Sequence, residues 1–178
     1  NKSKMICEKV ILSYKEKIKT IILRPATVCG FSNRLRLDVV LNIFCYQAFF
    51  NKEITILGGN QVRPLLHIKD MLNAYEFFIK KNSTGVFNVG FENVKVKDIA
   101  KEVQKIIPCK ITSLRSNDPR SYRMNSEKII KNGFKPMYNF KKEILDLKNN
   151  FEKGFKPSDQ NWNLKWLLQK KIIVKNDK

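Results

Sequence analysis

Between Thr20 and Gly30 the chain reads Thr-Ile-Ile-Leu-Arg-Pro-Ala-Thr-Val-Cys-Gly, and this stretch narrows the fold more than any other. It opens as a short, apolar, β-branched run bounded by charge and cut by Pro25. That pattern predicts a buried strand, Thr20 to Leu23, with an abrupt end. Arg24 precedes a proline, so its backbone is pushed toward extended geometry and the chain must leave the sheet there. In open α/β sheets, ligands bind at the loops beyond the carboxyl ends of such strands. The run therefore predicts a sheet and a place to look for a site.

The flanking segments support the same class. Helical periodicity covers Lys2 to Lys17, which begins without a visible cap, and Asp38 to Phe50. Ile54 to Leu57 reads as a strand closed by the Gly58-Gly59 turn. A second run, Leu65 to Ile68, leads into Asp70 as an N-cap, and the helix Met71 to Lys81 carries acid at its start and lysine at its end, as the helix dipole prefers. Val86 to Val89 is a strand, Val96 to Ile107 a helix stopped by Pro108, and Lys110 to Leu114 a strand. Ser126 to Asn132 is a short helix with Gly133 at its C-cap, and Phe140 to Lys153 is helical. From Pro157 onward, Trp162, Trp166, Leu167 and Leu168 form a packing element ahead of a loose charged end. Strands alternating with helices indicate an α/β protein, with too few strands for a complete doubly wound sheet.

Composition removes several alternatives. The 178 residues suffice for one domain with a substantial core, and 43% hydrophobic content argues against wholesale disorder. No apolar run approaches the length of a membrane span, and no signal-peptide pattern is present. Cys7, Cys29, Cys45 and Cys109 are far apart, and with one histidine in the chain they argue against a metal site. Buried free thiols in the reducing cytoplasm are the plain reading. The net charge of +19 raises a nucleic-acid-binding hypothesis. Only seven of the 35 basic residues are arginine, however, and the lysines are spread over nearly every segment. That looks more like compositional bias than the concentrated, aromatic-interleaved stripe usual on nucleic-acid surfaces.

Several motifs together resemble the NAD-dependent epimerase/dehydratase family, the extended short-chain dehydrogenases/reductases acting on nucleotide sugars. They begin with Leu23-Arg24-Pro25-Ala26-Thr27-Val28-Cys29-Gly30 and the stretch Arg34 to Asn42. Ile54 to Gly59, Arg63-Pro64 and His67-Ile68-Lys69-Asp70 follow. Phe87-Asn88-Val89-Gly90, Asp118 to Arg123 and Lys128-Ile129 complete the series. Each piece is weak alone; the ordered set, running from about Asn1 to Pro136, is specific. The family's glycine-rich loop, which would set backbone N–H groups against a cofactor pyrophosphate, does not occur in this sequence. Asn1-Lys2-Ser3-Lys4 looks like the continuation of the family's Tyr-x-x-x-Lys pair, with the tyrosine falling one residue before Asn1. The expectation is therefore a C-terminal half. Residues 1–35 would be a remnant of a Rossmann-like dinucleotide-binding domain (its last strand and helix). Residues 36–156 would be a smaller α/β substrate-binding region, and 157–178 the packing tail.

The resemblance also implies roles. Lys4 would lower the pKa of the catalytic tyrosine and hold the cofactor ribose, and Pro25, Ala26, Thr27 and Val28 would set backbone groups beside the nicotinamide of NAD or NADP. Read alone, Lys4 is a solvated helix charge and Pro25 an ordinary strand terminator. Asn42, Arg63 and Arg123 would meet the substrate diphosphate, since an arginine fork matches phosphate oxygens as lysine cannot. Asn88 either binds the nucleotide or closes a turn; Tyr122 either stacks on a base or packs in the core. Arg120 completes the substrate-binding candidates. Taken singly, it reads like Arg34 and Arg36, as solvated surface charge. His67 reads as a hydrogen-bonded core histidine, and Cys29 receives no role. The complete enzyme would be a cytoplasmic homodimer that transfers hydride at a sugar carbon. This chain, without its N-terminal half, would hold no cofactor and be inactive. The rival expectations are a non-enzymatic anion- or RNA-binding module and a pseudoenzyme of the same family.

Overall fold

The computed structural model describes residues 2–116 and 119–170. Asn1, Asp118 and the charged end expected to be loose lie outside them.

Helix α1 (Lys2–Ser13) precedes β1 (Ile21–Pro25) and β2 (Thr27–Cys29), and α2 (Val40–Tyr46) continues into a π-helical turn, Gln47–Asn51. Next come β3 (Glu53–Leu57), β4 (Val62–His67), α3 (Ile68–Lys81), β5 (Gly85–Val89) and β6 (Glu92–Lys95). The remainder is α4 (Val96–Ile106), β7 (Lys110–Leu114), α5 (Glu127–Lys131), α6 (Phe140–Glu152), a 3-10 turn at Asp159–Asn161, and α7 (Asn163–Gln169). The chain is thus mixed α/β with parallel pairing, as expected. Strand β1 runs parallel to β5, with Ile21 opposite Gly85 and Pro25 opposite Val89. Strand β4 is central in a three-stranded sheet, parallel to β2 and antiparallel to β6. Strands β3 and β7 form a third, parallel pair.

Two apolar cores hold these layers. The larger packs α2, α4 and α6 over β3 through Leu41, Phe44, Ile54, Ile99, Val103, Ile144 and Leu147. The spacing of Val96, Ile99, Ala100 and Val103 puts one face of α4 inward. The smaller core gathers Leu66, Met71, Ala74, Phe78, Phe87 and Ile129 between α3, α5 and β5. Each fully buried Leu, Ile or Phe contributes on the order of 1.5–3 kcal/mol.

The structure departs from the expectations in several places. Helix α1 ends at Ser13, where the Ser13 hydroxyl donates back to the Val10 carbonyl (2.7 Å) and the next turns tighten to three-residue spacing. No residue of α1 is buried, so Cys7 is exposed; Cys109, between α4 and β7, is only half-buried, whereas Cys29 and Cys45 are buried as expected. Strand β1 extends through Pro25, and β2 and β6 carry no strong sequence signal at three and four residues. Asp70 does not cap α3. The cap is His67, whose Nδ1 accepts from the Lys69 amide (3.1 Å), leaving Asp70 turned into the core. There Asp70 accepts from the amides of Met137 (3.1 Å) and Tyr138 (3.0 Å), partners too distant in sequence to be anticipated. No helix among the described residues is long and apolar enough to cross a membrane.

Candidate functional site

The end of β1 opens onto a cavity of about 700 Å³. Beyond Pro25 the Ala26 amide donates to the Val89 carbonyl (2.8 Å), which holds the turn against the end of β5. Gly90 makes this possible, since a Cβ there would collide with Ala26 Cβ. The chain then crosses into the neighbouring sheet as β2, with Thr27 opposite Leu65 and Cys29 opposite His67. Gly30, at φ +118°, turns it away again, a backbone geometry that favours glycine.

Asn42 ties two walls of the cavity together. Its side chain is buried; Oδ1 accepts from the Gly30 amide (3.1 Å) and Nδ2 donates to the Arg36 carbonyl (2.9 Å). Arg36 forms a two-pronged pair with Asp38 (3.0 and 3.1 Å). Arg63 also lines the cavity, from β4, donating to the carbonyls of Val62 (3.2 Å) and Arg120, and its guanidinium lies 5.5 Å from the Tyr122 ring centre. The segment carrying Arg120 and Tyr122 is held to β4 by the Ser121 hydroxyl, which accepts from the Val62 amide (3.0 Å).

Lys4, Pro25, Ala26, Thr27, Val28, Asn42, Arg63, Arg120 and Tyr122 therefore all line one cavity. Asn88 and Arg123 do not line it. The Asn88 side chain donates to the Asn125 carbonyl (3.0 Å), fastening β5 to the chain before α5, and Arg123 is exposed. Arg34 and Arg36 also line it, so four of the seven arginines converge here, beside one lysine. The signal that could have promoted them was their scarcity in a lysine-rich chain. Arginine forks bind two oxygens of a carboxylate or phosphate at once, which suits this cavity to either group.

Two buried groups sit behind the cavity. Cys29 lines it yet is almost wholly enclosed, and burial, with Glu143 as the second cause, pushes its thiol well above the usual range. It is a neutral packing residue at physiological pH. Glu143, from the first turn of α6, lies fully buried, and neither carboxylate oxygen has a hydrogen-bond partner. A Cβ on Gly30 would lie 3.3 Å from its Oε1. Desolvation, then the nearby charges of Glu92 and Asp146, raises its pKa well above that of an ordinary glutamate. In a smaller cleft alongside, His67 is buried as expected. Because Nδ1 accepts, the neutral ring carries its proton on Nε2, 3.7 Å from Asp146 Oδ2. Burial lowers its pKa, opposed by the charges of Asp146 and Asp70.

Comparison with solved structures agrees with this architecture. The UDP-N-acetylglucosamine 4-epimerase from Bacillus cereus superposes with a TM-score of 0.74 at 24% identity, over 90% of this chain and 55% of that one. The enzyme of the same description from Methanobrevibacter ruminantium M1, in complex with UDP-N-acetylmuramic acid, gives 0.75 at 18% identity, over 85% and 53%. RMD from Pseudomonas aeruginosa, complexed with NADPH, gives 0.74 at 18%, over 85% and 55%. The chain thus spans just over half the length of these proteins, and at these identities the likeness establishes the fold. Residues 1–90 match the NAD dependent epimerase/dehydratase family, and the chain belongs to that family.

Proposed function

We propose that the cavity is the substrate-facing side of the active site of an NAD(P)-dependent nucleotide-sugar epimerase or dehydratase. The observation that carries this reading is the convergence of four arginines with Lys4 and the Pro25–Val28 turn on one 700 Å³ cavity, in a chain whose basic residues are otherwise mostly lysine. Arg63 and Arg120 would take the diphosphate, and Tyr122 would take an apolar face of the ligand. Asn42 would keep the Gly30 and Arg36 walls in register around it. Lys4 and the Pro25–Val28 turn fit a dinucleotide, because both line the cavity beyond the carboxyl end of β1. When bound, NAD or NADP would supply a hydride acceptor for a sugar carbon. Lys4 would hold a ribose hydroxyl and its positive charge would favour the ionised form of a neighbouring acid. The reading carries with it a homodimeric whole enzyme and a nucleotide-sugar substrate.

Calorimetric titration with UDP-glucose tests it. Arg63→Ala should weaken binding about tenfold to a hundredfold, the usual cost of losing hydrogen bonds to a charged group. Equal affinity in the variant would sink the reading, as would RNA binding with a steep salt slope and no competition from UDP-glucose. Titrated with NAD alone, this chain should show no micromolar affinity and no turnover.

A further inference from the structure

The wall carrying Arg34 and Arg36 is not self-supporting. Along residues 34–37 the side chains alternate: Leu35 and Leu37 are wholly buried, while Arg34 and Arg36 face the cavity. The backbone of this wall is fastened from the far end of the chain. The buried Asn161 side chain donates to the Leu35 carbonyl (2.8 Å), and the Asn161 carbonyl accepts from the Leu37 amide (2.8 Å). Trp162, next in sequence, meets Tyr46 edge-on at 5.6 Å and packs on the larger core. One turn further, α7 reaches Arg34 itself: Asn163 Oδ1 accepts from Arg34 Nη2 (2.7 Å), and the guanidinium sits 4.1 Å from the Trp166 ring centre.

We propose that Asn161, Asn163 and Trp166 brace the cavity wall from behind its lining, and that Asn163 and Trp166 are positioning residues that aim Arg34 at an oxyanion of the bound nucleotide sugar. The inference rests on the function proposed above. An exposed arginine loses considerable rotamer freedom on binding; stacking and a fixed hydrogen bond remove much of that freedom beforehand, so less is lost when a ligand arrives. A guanidinium carries five N–H donors, so the bond to Asn163 leaves others for the ligand. Arg36 differs, because Asp38 already engages its fork and offsets its charge. The oxyanion is either the diphosphate or a carboxylate on the sugar, and two ligands separate these sources.

The full chain is titrated calorimetrically with UDP-glucose and with UDP-glucuronic acid. Arg34→Ala and Trp166→Ala should each weaken binding about threefold to tenfold, the range of a cation–aromatic contact. The double variant should bind no more weakly than Arg34→Ala alone, since Trp166 acts through Arg34. Trp166→Phe should restore most of the affinity, and Leu164→Ala, on the exposed side of α7, should change nothing. Equal losses for both ligands assign Arg34 to the diphosphate; losses confined to UDP-glucuronic acid assign it to the sugar. Should Trp166→Ala lower the thermal midpoint, Asn163→Ala carries the same cycle. Additive losses, or unchanged affinity in the Arg34 and Trp166 variants while Arg63→Ala still weakens binding, overturn this inference and leave the cavity reading standing. Absence of binding by the wild-type chain overturns both.

Discussion

Among the described residues, Glu143 is buried with neither carboxylate oxygen partnered. A carboxyl group sealed from water with no partner stays protonated, because ionising it there costs far more than in the unfolded chain. Its folded pKa lies above its unfolded value, so the folded state holds the proton more tightly. Its contribution to stability is complete below the unfolded pKa and declines as pH rises toward the folded one. Glu143→Gln should therefore flatten the alkaline side of the stability–pH curve, and Glu143→Leu should stabilise by about 1–3 kcal/mol at neutral pH; urea melts across pH measure both, and an unchanged profile would refute the assignment. His67 acts at the other end of the scale. Burial depresses its pKa, so its contribution is present above the unfolded value and is lost as pH falls through the folded one. Asp70 shows the opposite balance to Glu143, a buried acid satisfied by two amides and Asn73. Asp70→Ala should cost about 2–3 kcal/mol by stranding those donors, read as a fall in the urea midpoint.

Among the elements, β1 is the one left half-finished. Among the described residues it pairs only with β5, and Ile21, Ile22 and Leu23 stay half-buried. Helix α1 beside it buries nothing and exposes Met5, Ile6 and Val10; the Glu8–Arg24 ion pair is its tie to the strand. An unpaired strand edge beside apolar surface invites association. Light scattering on this chain should thus show mass rising with concentration, and a monodisperse, cooperatively melting monomer would argue otherwise. The elements that were readable in the sequence, such as α3, α4 and α6, carry their own periodicity. Those that were not, β2 and β6, exist because β4 offers hydrogen bonds on both sides. The missed cap at His67 has the same origin: Asp70 had the right chemistry locally, and a distant loop claimed it.

For the whole molecule, the ordered motifs disclosed the family and most of the cavity. Lys4, Asn42, Arg63 and Tyr122 lie far apart in the chain, and the fold brings them to one cavity. The supporting network was hidden, because Asn161 and Trp166 touch the wall across more than a hundred residues and no spacing rule connects them. The pairing register has a further consequence, for how fast this structure is reached. Ile21 waits for Gly85, and Glu53 for Lys110; neither parallel pair can close as a hairpin. Each must meet the entropy of a long loop before any ladder bond repays it. On a ribosome, the apolar strand that begins at Ile21 would emerge and wait for its β5 partner while some sixty further residues were made, at roughly 5–20 residues per second. For several seconds of synthesis the edge that β5 will cover stays open to whatever else in the cell can bind it.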